Sequence, residues 1–287
     1  MTAGANRLRD RLLQAAGRLG AVSDSPRLDA ELLMTHCLKR DRTWLLTWPD
    51  HVLDEQQQAC FDELLQRRLA GEPVAYLLGE REFWSLRLKV TPATLVPRAE
   101  TELLVERALT EIEGRPRPRI LELGTGSGAI ALALKQERPD ADITATDISA
   151  SALEVARENA ARLGLALRLL ESDWFDAIDP GERFDLIVSN PPYIAAGDPW
   201  LGRGDLPAEP RSALCSGPSG LEALERIIAD APAFLCPGAA LLLEHGYDQR
   251  DPVQQGLREA GFEQIETWTD FNELPRVSRG LWTGNED

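Results

Sequence analysis

Residues 119–134 have the sequence RILELGTGSGAIALAL, which is an apolar run, a glycine-rich turn and a second apolar run. The first run predicts a buried strand, and the second predicts the start of a helix. Gly124, Gly126 and Gly128 lie between them in the spacing G-x-G-x-G. Glycines allow a tight turn and let the backbone approach a ligand closely. The stretch therefore predicts a strand–turn–helix unit of an α/β sheet, with a ligand site at the carboxyl end of the strand.

An acidic residue at the end of the next predicted strand indicates what this turn binds. Asp147 follows the run 141–146, and a carboxylate at that place can accept both hydroxyls of a ribose. The turn lacks the G-x-G-x-x-G spacing of dinucleotide sites, and it contains no lysine or arginine to meet a phosphate. Both points favour a phosphate-free nucleoside such as S-adenosyl-L-methionine over NAD. The alternatives are a turn that only connects strand to helix and an aspartate that only caps the helix after Ser149.

A second motif, Asn190-Pro191-Pro192-Tyr193, follows the apolar run 184–189. Each proline removes a backbone donor and fixes φ, and the residue before a proline is kept out of the helical region. The motif therefore predicts a stiff turn at the end of a strand. Such a turn can hold a planar group that carries an NH2, because the Asn190 amide oxygen and a backbone carbonyl each accept one N–H while the Tyr193 ring packs on the flat face. We expect chemistry on an amide or amino nitrogen; the alternative is a purely structural turn.

The same motif suggests how an amide nitrogen becomes nucleophilic. The lone pair of an amide nitrogen is delocalised into the carbonyl. If Asn190 and the Pro191 carbonyl accept both N–H bonds, the lone pair turns toward the methyl donor and the charge that develops on nitrogen is stabilised. The motif contains no histidine or carboxylate that could act as a base, so we expect proton loss to follow methyl transfer.

Composition limits the class of protein. The chain has 287 residues, 43% of them hydrophobic, and a formal charge of −16 from 47 acids and 31 bases. Nucleic-acid binding starts with phosphate contacts from lysine and arginine, which this balance disfavours unless a local basic patch exists. The four cysteines and three histidines are scattered, so we expect no disulfide and no metal site. The N-terminus lacks an apolar signal segment and no run is long enough to span a membrane, so we expect a soluble, cytoplasmic protein.

The sequence divides into three parts. Residues 1–73 predict a helical domain, and residues 74–98 predict a linker with a β-hairpin whose arms are 83–90 and 94–96. Residues 99–287 alternate strands with helices, which is typical of a doubly wound parallel sheet. Both motifs then lie at carboxyl ends of strands, where such sheets bind ligands. The expected strands are near 119–123, 141–146, 166–171, 184–189, 239–244, 263–268 and 277–283.

The motifs resemble those of a known family. Glu122–Gly128 with Asp147 resembles the S-adenosylmethionine site of Rossmann-like methyltransferases, and Asn190–Tyr193 resembles their amino- and amide-nitrogen subgroup. Nearly the whole chain is similar to the peptide-chain release factor glutamine methyltransferases. That similarity is carried by DAELL at 29–33, GEPVAYLLG at 71–79, FWSL at 83–86, LVPR at 95–98, SDWF at 172–175, EP at 209–210 and LLLEHG at 241–246. The resemblance implies an α/β fold with a seven-stranded Rossmann-like methyltransferase sheet and a small N-terminal helical domain.

The resemblance also implies an activity and a set of site residues. These enzymes transfer a methyl group from S-adenosyl-L-methionine to the side-chain amide nitrogen, N5, of the glutamine in the Gly-Gly-Gln motif of class I release factors, which their helical domain helps to hold. The positions that match the cofactor site are Gly124, Thr125, Gly126, Ser127 and Gly128 for the methionine part, Asp147 for the ribose, Trp174 for the adenine ring and Asp173 for its amino group. The positions that match the substrate site are Asn190, which can also contact the cofactor, Pro191, Pro192 and Tyr193. From the residues alone, Trp174 is equally typical of a protein core.

Three other functions are compatible with the motifs. A sister enzyme methylates a ribosomal-protein glutamine with the same catalytic residues, and residues 1–98 resemble the release-factor type instead. The second is an adenine-N6 methyltransferase, in which a flipped adenine of the nucleic acid presents its NH2 to the same motif. The charge of −16 argues against this function. A binding module with an inactive site is disfavoured because both motifs are intact. We expect a monomer whose partner is the release factor, without direct contact to nucleic acid or membrane, and a loop at 197–220 that could cover the site.

Overall fold

The computed structural model describes residues 6–284, which form two compact units. One unit runs to Glu80 and includes Gly202–Ala208, and the other comprises Arg81–Leu201 and the chain from Glu209 onward. The helices are α1 (Leu8–Leu19), α2 (Pro26–Leu38), α3 (Arg42–Thr47), α4 (Glu55–Leu69), α5 (Val74–Leu78), α6 (Glu102–Glu111), α7 (Ala129–Glu137), α8 (Ala150–Leu163), α9 (Arg211–Leu214), α10 (Glu222–Asp230) and α11 (Arg250–Glu259). The strands are β1 (Glu80–Phe83), β2 (Leu86–Lys89), β3 (Arg119–Leu123), β4 (Asp142–Asp147), β5 (Arg168–Glu171), β6 (Phe184–Ser189), β7 (Leu235–Glu244), β8 (Glu263–Thr269) and β9 (Pro275–Trp282).

The first unit is a helical bundle around its own apolar core, which includes the fully buried Leu33 and Phe61. A disulfide joins Cys37 on α2 to Cys60 on α4, with their Cα atoms 5.8 Å apart. The expectation of no disulfide was therefore wrong. The two cysteines are 23 residues apart in sequence, and only the packing of α2 against α4 brings them together.

A buried arginine connects the loop segment 202–208 to this bundle. Arg68 on α4 donates from Nε to Asp29 Oδ2 at 2.8 Å and from Nη1 to Asp205 Oδ1 at 2.6 Å. The side chain of Arg68 is only 5% exposed, and a buried guanidinium needs such carboxylate partners to offset its desolvation. The ion pairs therefore explain why a segment so distant in sequence belongs to the helical unit.

The hairpin is shorter than predicted. β1 pairs with β2, and the turn between them is Trp84-Ser85, where φ is 50° and 60°. Two central residues with positive φ are typical of a type I′ hairpin turn, which usually contains glycine or asparagine. The predicted arms at 83–90 and 94–96 were therefore wrong, because a Trp-Ser turn gives no sequence signal of this kind.

The second unit contains the predicted seven-stranded sheet, in the order β5-β4-β3-β6-β7-β9-β8. The chain runs outward through β3, β4 and β5 on one side and through β6 and β7 on the other, so the order reverses between β3 and β6. Leu123 pairs with Ser189 in parallel register, so Gly124 and Asn190 leave neighbouring strands at the same level. Such a switch point forms a crevice for ligands.

The sheet is parallel except at its last strand, β9, which the expected doubly wound parallel sheet did not include as antiparallel. β9 runs antiparallel to both β7 and β8. Side chains of β3 alternate between the two faces: Ile120 packs in one apolar cluster and Leu121 packs in the other. Among the helices of residues 6–284, none is long and apolar enough to cross a membrane.

Candidate active site

A cavity of ≈ 340 Å³ lies at the carboxyl ends of the central strands, within the second unit. It collects residues that are far apart in sequence. The predicted site residues that line it are Gly124, Thr125, Gly126, Ser127, Asp147, Asp173, Trp174, Asn190 and Pro192. Gly128, Pro191 and Tyr193 are outside this lining. The glycine-rich turn and the Asn190 motif therefore share one cavity.

Asp147 holds the glycine-rich turn from the end of β4. Its Oδ2 accepts a hydrogen bond from Gly126 N at 2.8 Å, and its Oδ1 accepts one from Ser149 N at 2.9 Å. Burial raises the pKa of this carboxyl, and the two backbone donors oppose that rise. The N-cap of α8 is Ser149, whose hydroxyl accepts from Ala152 N at 3.2 Å. Capping of α8 therefore does not account for Asp147.

The glycines of the turn have different surroundings. Gly124 has φ of +72°, and a Cβ added there would lie 3.7 Å from Cζ3 of Trp174. Gly128 has φ of +83°, and a Cβ there would lie 3.1 Å from Leu132 Cδ1 and 3.3 Å from Ala156 Cβ. Gly128 thus permits close packing of α7 against α8, whereas Gly124 leaves space beside an aromatic ring.

Trp174 and Asp173 form a second wall of the cavity. Trp174 has φ of +54°, its carbonyl accepts from Ser172 Oγ at 2.9 Å, and its side chain packs against an apolar cluster. The Oδ2 atom of Asp173 pairs with Arg226 Nη1 at 2.8 Å. Asp173 therefore shares its carboxylate with an arginine, while the Trp174 side chain both packs in the core and borders the cavity.

Glu122 is the first residue of the glycine-rich motif, and the sequence analysis assigned it no role of its own. It lies on β3, is only 1% exposed and borders the cavity. Oε2 accepts from Thr125 Oγ1 at 2.6 Å and from Ala131 N at 3.1 Å, whereas Oε1 has no hydrogen-bond partner. Burial raises the pKa of Glu122 to about 8, and the charge of Asp147 adds to the rise. An acid inside an apolar strand is the sequence signal that could have identified it.

The Asn190 motif is held from two sides. Asn190 Nδ2 donates to Thr101 Oγ1 at 3.1 Å, and the Tyr193 carbonyl accepts from Gln249 Nε2 at 2.9 Å. Pro191 is buried. The Tyr193 ring packs against an apolar cluster, and burial raises the pKa of its hydroxyl. The motif is therefore rigid, and the amide of Asn190 has its nitrogen engaged within the protein.

Glu244 is a second carboxyl that the sequence analysis did not assign. It ends β7, whose Leu243 pairs with Ser189 of β6, so Glu244 lies beside Asn190. It is 2% exposed, and its Oε2 has no hydrogen-bond partner. Burial raises the pKa of Glu244 to about 7, although hydrogen bonds with Thr101 and Asn190 lower it. The sequence signal was the position of this acid at the carboxyl end of a strand next to the motif.

The loop at 197–220 contributes the remaining wall. Pro210, Ala213 and Cys215 border the cavity. The Glu209 carboxylate, which is fully buried, accepts from Val96 N at 3.1 Å and pairs with Arg98. This part of the loop is therefore fixed against the segment that precedes α6.

Histidine supplies no base at the cavity, because none of its lining residues is a histidine. His245 is fully buried; its Nδ1 lies 2.8 Å from the Gly246 carbonyl, so Nδ1 carries the proton, and Nε2 accepts from Ser278 Oγ at 2.8 Å. Burial lowers the pKa of His245. Within residues 6–284, no three histidine, cysteine, aspartate or glutamate side chains are grouped so that they could hold a metal ion.

The fold and the comparisons with known proteins first identify the class of enzyme to which the chain belongs. Residues 99–199 match the family model described as "Methyltransferase small domain". Together with a methyltransferase relative that covers nearly the whole chain, this match shows that the protein is a methyltransferase and uses a methyl donor of the S-adenosylmethionine type. Residues 10–79 match the model described as "PrmC N-terminal domain". A "Release factor glutamine methyltransferase" of Burkholderia pseudomallei is 50% identical over 275 residues, which cover 94% of this chain and 96% of that protein. The chain belongs to the release factor glutamine methyltransferase family.

Other comparisons agree with this assignment. The protein of the same name from Escherichia coli (strain K12) is 47% identical over 272 residues, 94% of this chain and 97% of that protein. A methyltransferase structure from Pyrococcus furiosus matches with a TM-score of 0.53 and 19% identity, over 78% of this chain and all of that one. At this identity the structural match supports the fold alone. The family resemblance and the fold predicted from sequence are confirmed.

Proposed function

We propose that this protein transfers a methyl group from S-adenosyl-L-methionine to N5 of the glutamine in the Gly-Gly-Gln motif of class I release factors. The observation that carries the proposal is the Asn190 amide, which lies in the same cavity as the glycine-rich turn and has its Nδ2 engaged by Thr101. Oδ1 is then the polar atom left for a substrate NH2. The names of relatives that cover nearly the whole chain support this substrate.

The cavity fits the cofactor in size and in chemistry. A volume of ≈ 340 Å³ is within the range of small-molecule sites. The unpartnered Oε1 of the buried Glu122 suits a cation such as the ammonium of a methionine moiety. In this proposal Gly124–Gly128 surround the methionine part, Asp147 holds the ribose, and Trp174 packs on the adenine beside Asp173. When bound, the cofactor supplies an electrophilic methyl group on a positively charged sulfur.

The chain's own residues prepare the substrate nitrogen. Asn190 Oδ1 and the Pro191 carbonyl accept the two N–H bonds of the glutamine amide, which orients the lone pair and stabilises the positive charge that develops on nitrogen. Pro192 borders the cavity at this point, and Tyr193 anchors the turn. The rigid motif holds the amide in near-attack geometry. The Asn190 motif contains no histidine or carboxylate that could act as a base, so proton loss follows methyl transfer.

The three parts of the chain have different roles in this proposal. We propose that residues 1–73 hold the release factor, that residues 74–98 are a linker, and that residues 99–287 carry out the transfer. The charge of −16 supports a protein partner without direct contact to nucleic acid. We further propose that the protein acts as a monomer in the cytoplasm.

The proposal is tested by methyl transfer from labelled S-adenosyl-L-methionine to a purified class I release factor. The Gly-Gly-Gln glutamine is intact in one sample and replaced in another, and a ribosomal-protein fraction and DNA are assayed in parallel. Label on the intact release factor alone is the expected result. Label on a ribosomal protein or on DNA would agree with the methyltransferase assignment but would contradict the proposed release-factor substrate.

Asn190→Ala tests the role of the amide. We expect cofactor affinity to stay within about threefold and turnover to fall by about 10²-fold or more, as for loss of one preorganised polar group. Asn272→Ala is the matched control, because Asn272 is exposed in the turn between β8 and β9. Near-normal turnover of Asn190→Ala would contradict the mechanism.

A further inference from the structure

We propose that Glu244, acting with Thr101, fixes the orientation of the Asn190 amide and is therefore a positioning residue for methyl transfer. The inference rests on the proposed function for its effect on catalysis. The geometry behind it concerns the enzyme alone: the buried Thr101 hydroxyl accepts from Asn190 Nδ2, and the buried Glu244 carboxyl ends the neighbouring strand and hydrogen-bonds Asn190.

Strand order and a helix start bring the three residues together. Asn190 and Glu244 follow paired residues at the carboxyl ends of β6 and β7. Thr101 directly precedes α6 and is 4% exposed. The hydroxyl of Thr101 accepts from Asn190 Nδ2 at 3.1 Å. Because it acts as an acceptor toward Asn190, its own proton is free to be donated to the neighbouring carboxyl of Glu244.

This arrangement selects one of the two orientations of the amide. A 180° rotation about the last side-chain bond exchanges Oδ1 and Nδ2 with almost no change in shape, so only hydrogen-bond partners distinguish them. Thr101 Oγ1 and the Glu244 carboxylate are acceptors, and they match the two N–H donors of Nδ2. The opposite orientation would place Oδ1 against a carboxylate and turn Nδ2, a donor, toward the NH2 of the substrate. Glu244 therefore determines that the atom offered to the substrate is an acceptor.

The surroundings of Glu244 include a cation that favours its ionised form. Burial raises the pKa of Glu244 to about 7, the Arg276 guanidinium lowers this pKa, and the Glu100 carboxylate raises it. Arg276 also pairs through Nε with Asp270 Oδ2 at 2.9 Å. The Tyr193 hydroxyl, whose pKa is raised by burial and by the charge of Glu244, stays neutral. Arg276 therefore keeps a positive charge close to the buried carboxyl of Glu244, whose negative charge would otherwise have no compensating cation.

The test uses three variants of the full-length enzyme with the release factor as substrate. We expect Glu244→Gln, which removes the negative charge and replaces one of the two acceptor oxygens by an NH2, to lower kcat at least ~10-fold, while KM and cofactor affinity change less than ~3-fold. Thr101→Val removes the hydroxyl at similar volume and should lower kcat to a similar extent. Thr101→Ser restores the hydroxyl and should recover most of the activity. Unchanged kcat in Glu244→Gln, or equal losses in Thr101→Ser and Thr101→Val, would overturn the inference.

A double variant distinguishes positioning from direct catalysis. If Glu244 acts only through Asn190, then Asn190→Ala/Glu244→Gln is no slower than Asn190→Ala alone, within about twofold, because coupled residues are non-additive. A further ~10-fold loss in the double variant would show that Glu244 acts on the substrate directly and would overturn the positioning role.

A measurement without substrate separates this inference from the proposed function. Hydrogen exchange of the Asn190 side-chain NH2, followed by NMR in the free enzyme, should be slow in the wild type and faster in Glu244→Gln and Thr101→Val. One outcome is slow exchange that both variants accelerate, in an enzyme that methylates no release factor. That outcome would overturn the proposed substrate but would still support the positioning role of Glu244. Equal exchange in all three proteins would overturn the positioning role itself.

Discussion

Replacement of Glu122 by glutamine should stabilise the fold at alkaline pH. Glu122 is 1% exposed, one carboxyl oxygen has no hydrogen-bond partner, and burial raises its pKa from 4.5 to about 8. An acid whose pKa is raised on folding stabilises the protein fully below its unfolded pKa. This contribution is lost as the pH rises through the folded pKa. The wild type therefore loses stability between about pH 4.5 and pH 8, and Glu122→Gln should not show that loss.

The magnitude follows from the difference between these pKa values. Each pH unit between them corresponds to about 1.4 kcal/mol, so the advantage of the variant above pH 8 is at most about 5 kcal/mol. The neutral glutamine keeps an oxygen that can accept from Thr125 and from Ala131 N, and its volume is nearly unchanged. At pH 5 the two proteins should therefore unfold with free energies that agree within about 1 kcal/mol.

The assay is urea unfolding of the cofactor-free proteins at pH 5, 7 and 9. Glu154→Gln is a matched control, because Glu154 is exposed on α8, and its difference from the wild type should not change with pH. An identical pH dependence of the unfolding free energy in Glu122→Gln and the wild type would refute the reasoning.

Glu122→Gln should also weaken binding of the cofactor. If the unpartnered Oε1 of Glu122 accepts a hydrogen bond from the ammonium of the methionine moiety, its loss costs about 1.5–3 kcal/mol, or roughly 10- to 150-fold in Kd. Titration calorimetry near pH 8, in two buffers of different ionisation enthalpy, should also show that the wild type releases more protons per cofactor bound than Glu122→Gln does, because only the wild type has this carboxyl to ionise. S-adenosylhomocysteine, which retains the ammonium and lacks the sulfonium, should show the same dependence on Glu122.

Two further predictions concern packing around the glycine-rich turn. Gly128→Ala should destabilise the protein by about 1–3 kcal/mol, measured by urea unfolding, because φ is +83° and the new Cβ would lie 3.3 Å from Ala156 Cβ; an unchanged stability would contradict the contact. Asn159→Ala should cost about 2–4 kcal/mol and weaken the cofactor, since the Asn159 amide donates to the carbonyls of Lys89 and Ser127, both at 2.9 Å. The reasoning fails if Asn159→Ala keeps wild-type stability.

Sequence patterns predicted the parts of the fold and site that depend on local order. Residues 119–123 and 184–189 are strands as predicted, because continuous apolar runs between turn signals are typical of buried parallel strands. The Cys37–Cys60 disulfide and the Trp84-Ser85 turn were not predicted. The first depends on helix packing across 23 residues, and the second uses backbone conformations that these side chains rarely adopt.

The side chains that contact Asn190 could not be predicted, because they too come from distant parts of the sequence. No sequence pattern singles out Thr101, yet its hydroxyl accepts a hydrogen bond from Asn190, which is 89 residues further along the chain. Periodicity within a strand or helix indicates which face is buried, but it does not identify the side chain of a distant element that this face contacts. The order of the strands does contain this information, because it places Glu244 beside Asn190.

The two buried carboxyls give the site a common electrostatic character. Glu122 and Glu244 are each at most 2% exposed, and each has an oxygen without a hydrogen-bond partner. Leaving such groups unpaired costs free energy in the unliganded protein, so natural selection for stability alone would replace them. A positively charged methyl donor bound in the cavity would favour the ionised form of Glu122, which borders it, and recover part of that cost. The enzyme should therefore bind the sulfonium form more tightly at pH 8 than at pH 6, and this preference should diminish when Glu122 is replaced by glutamine.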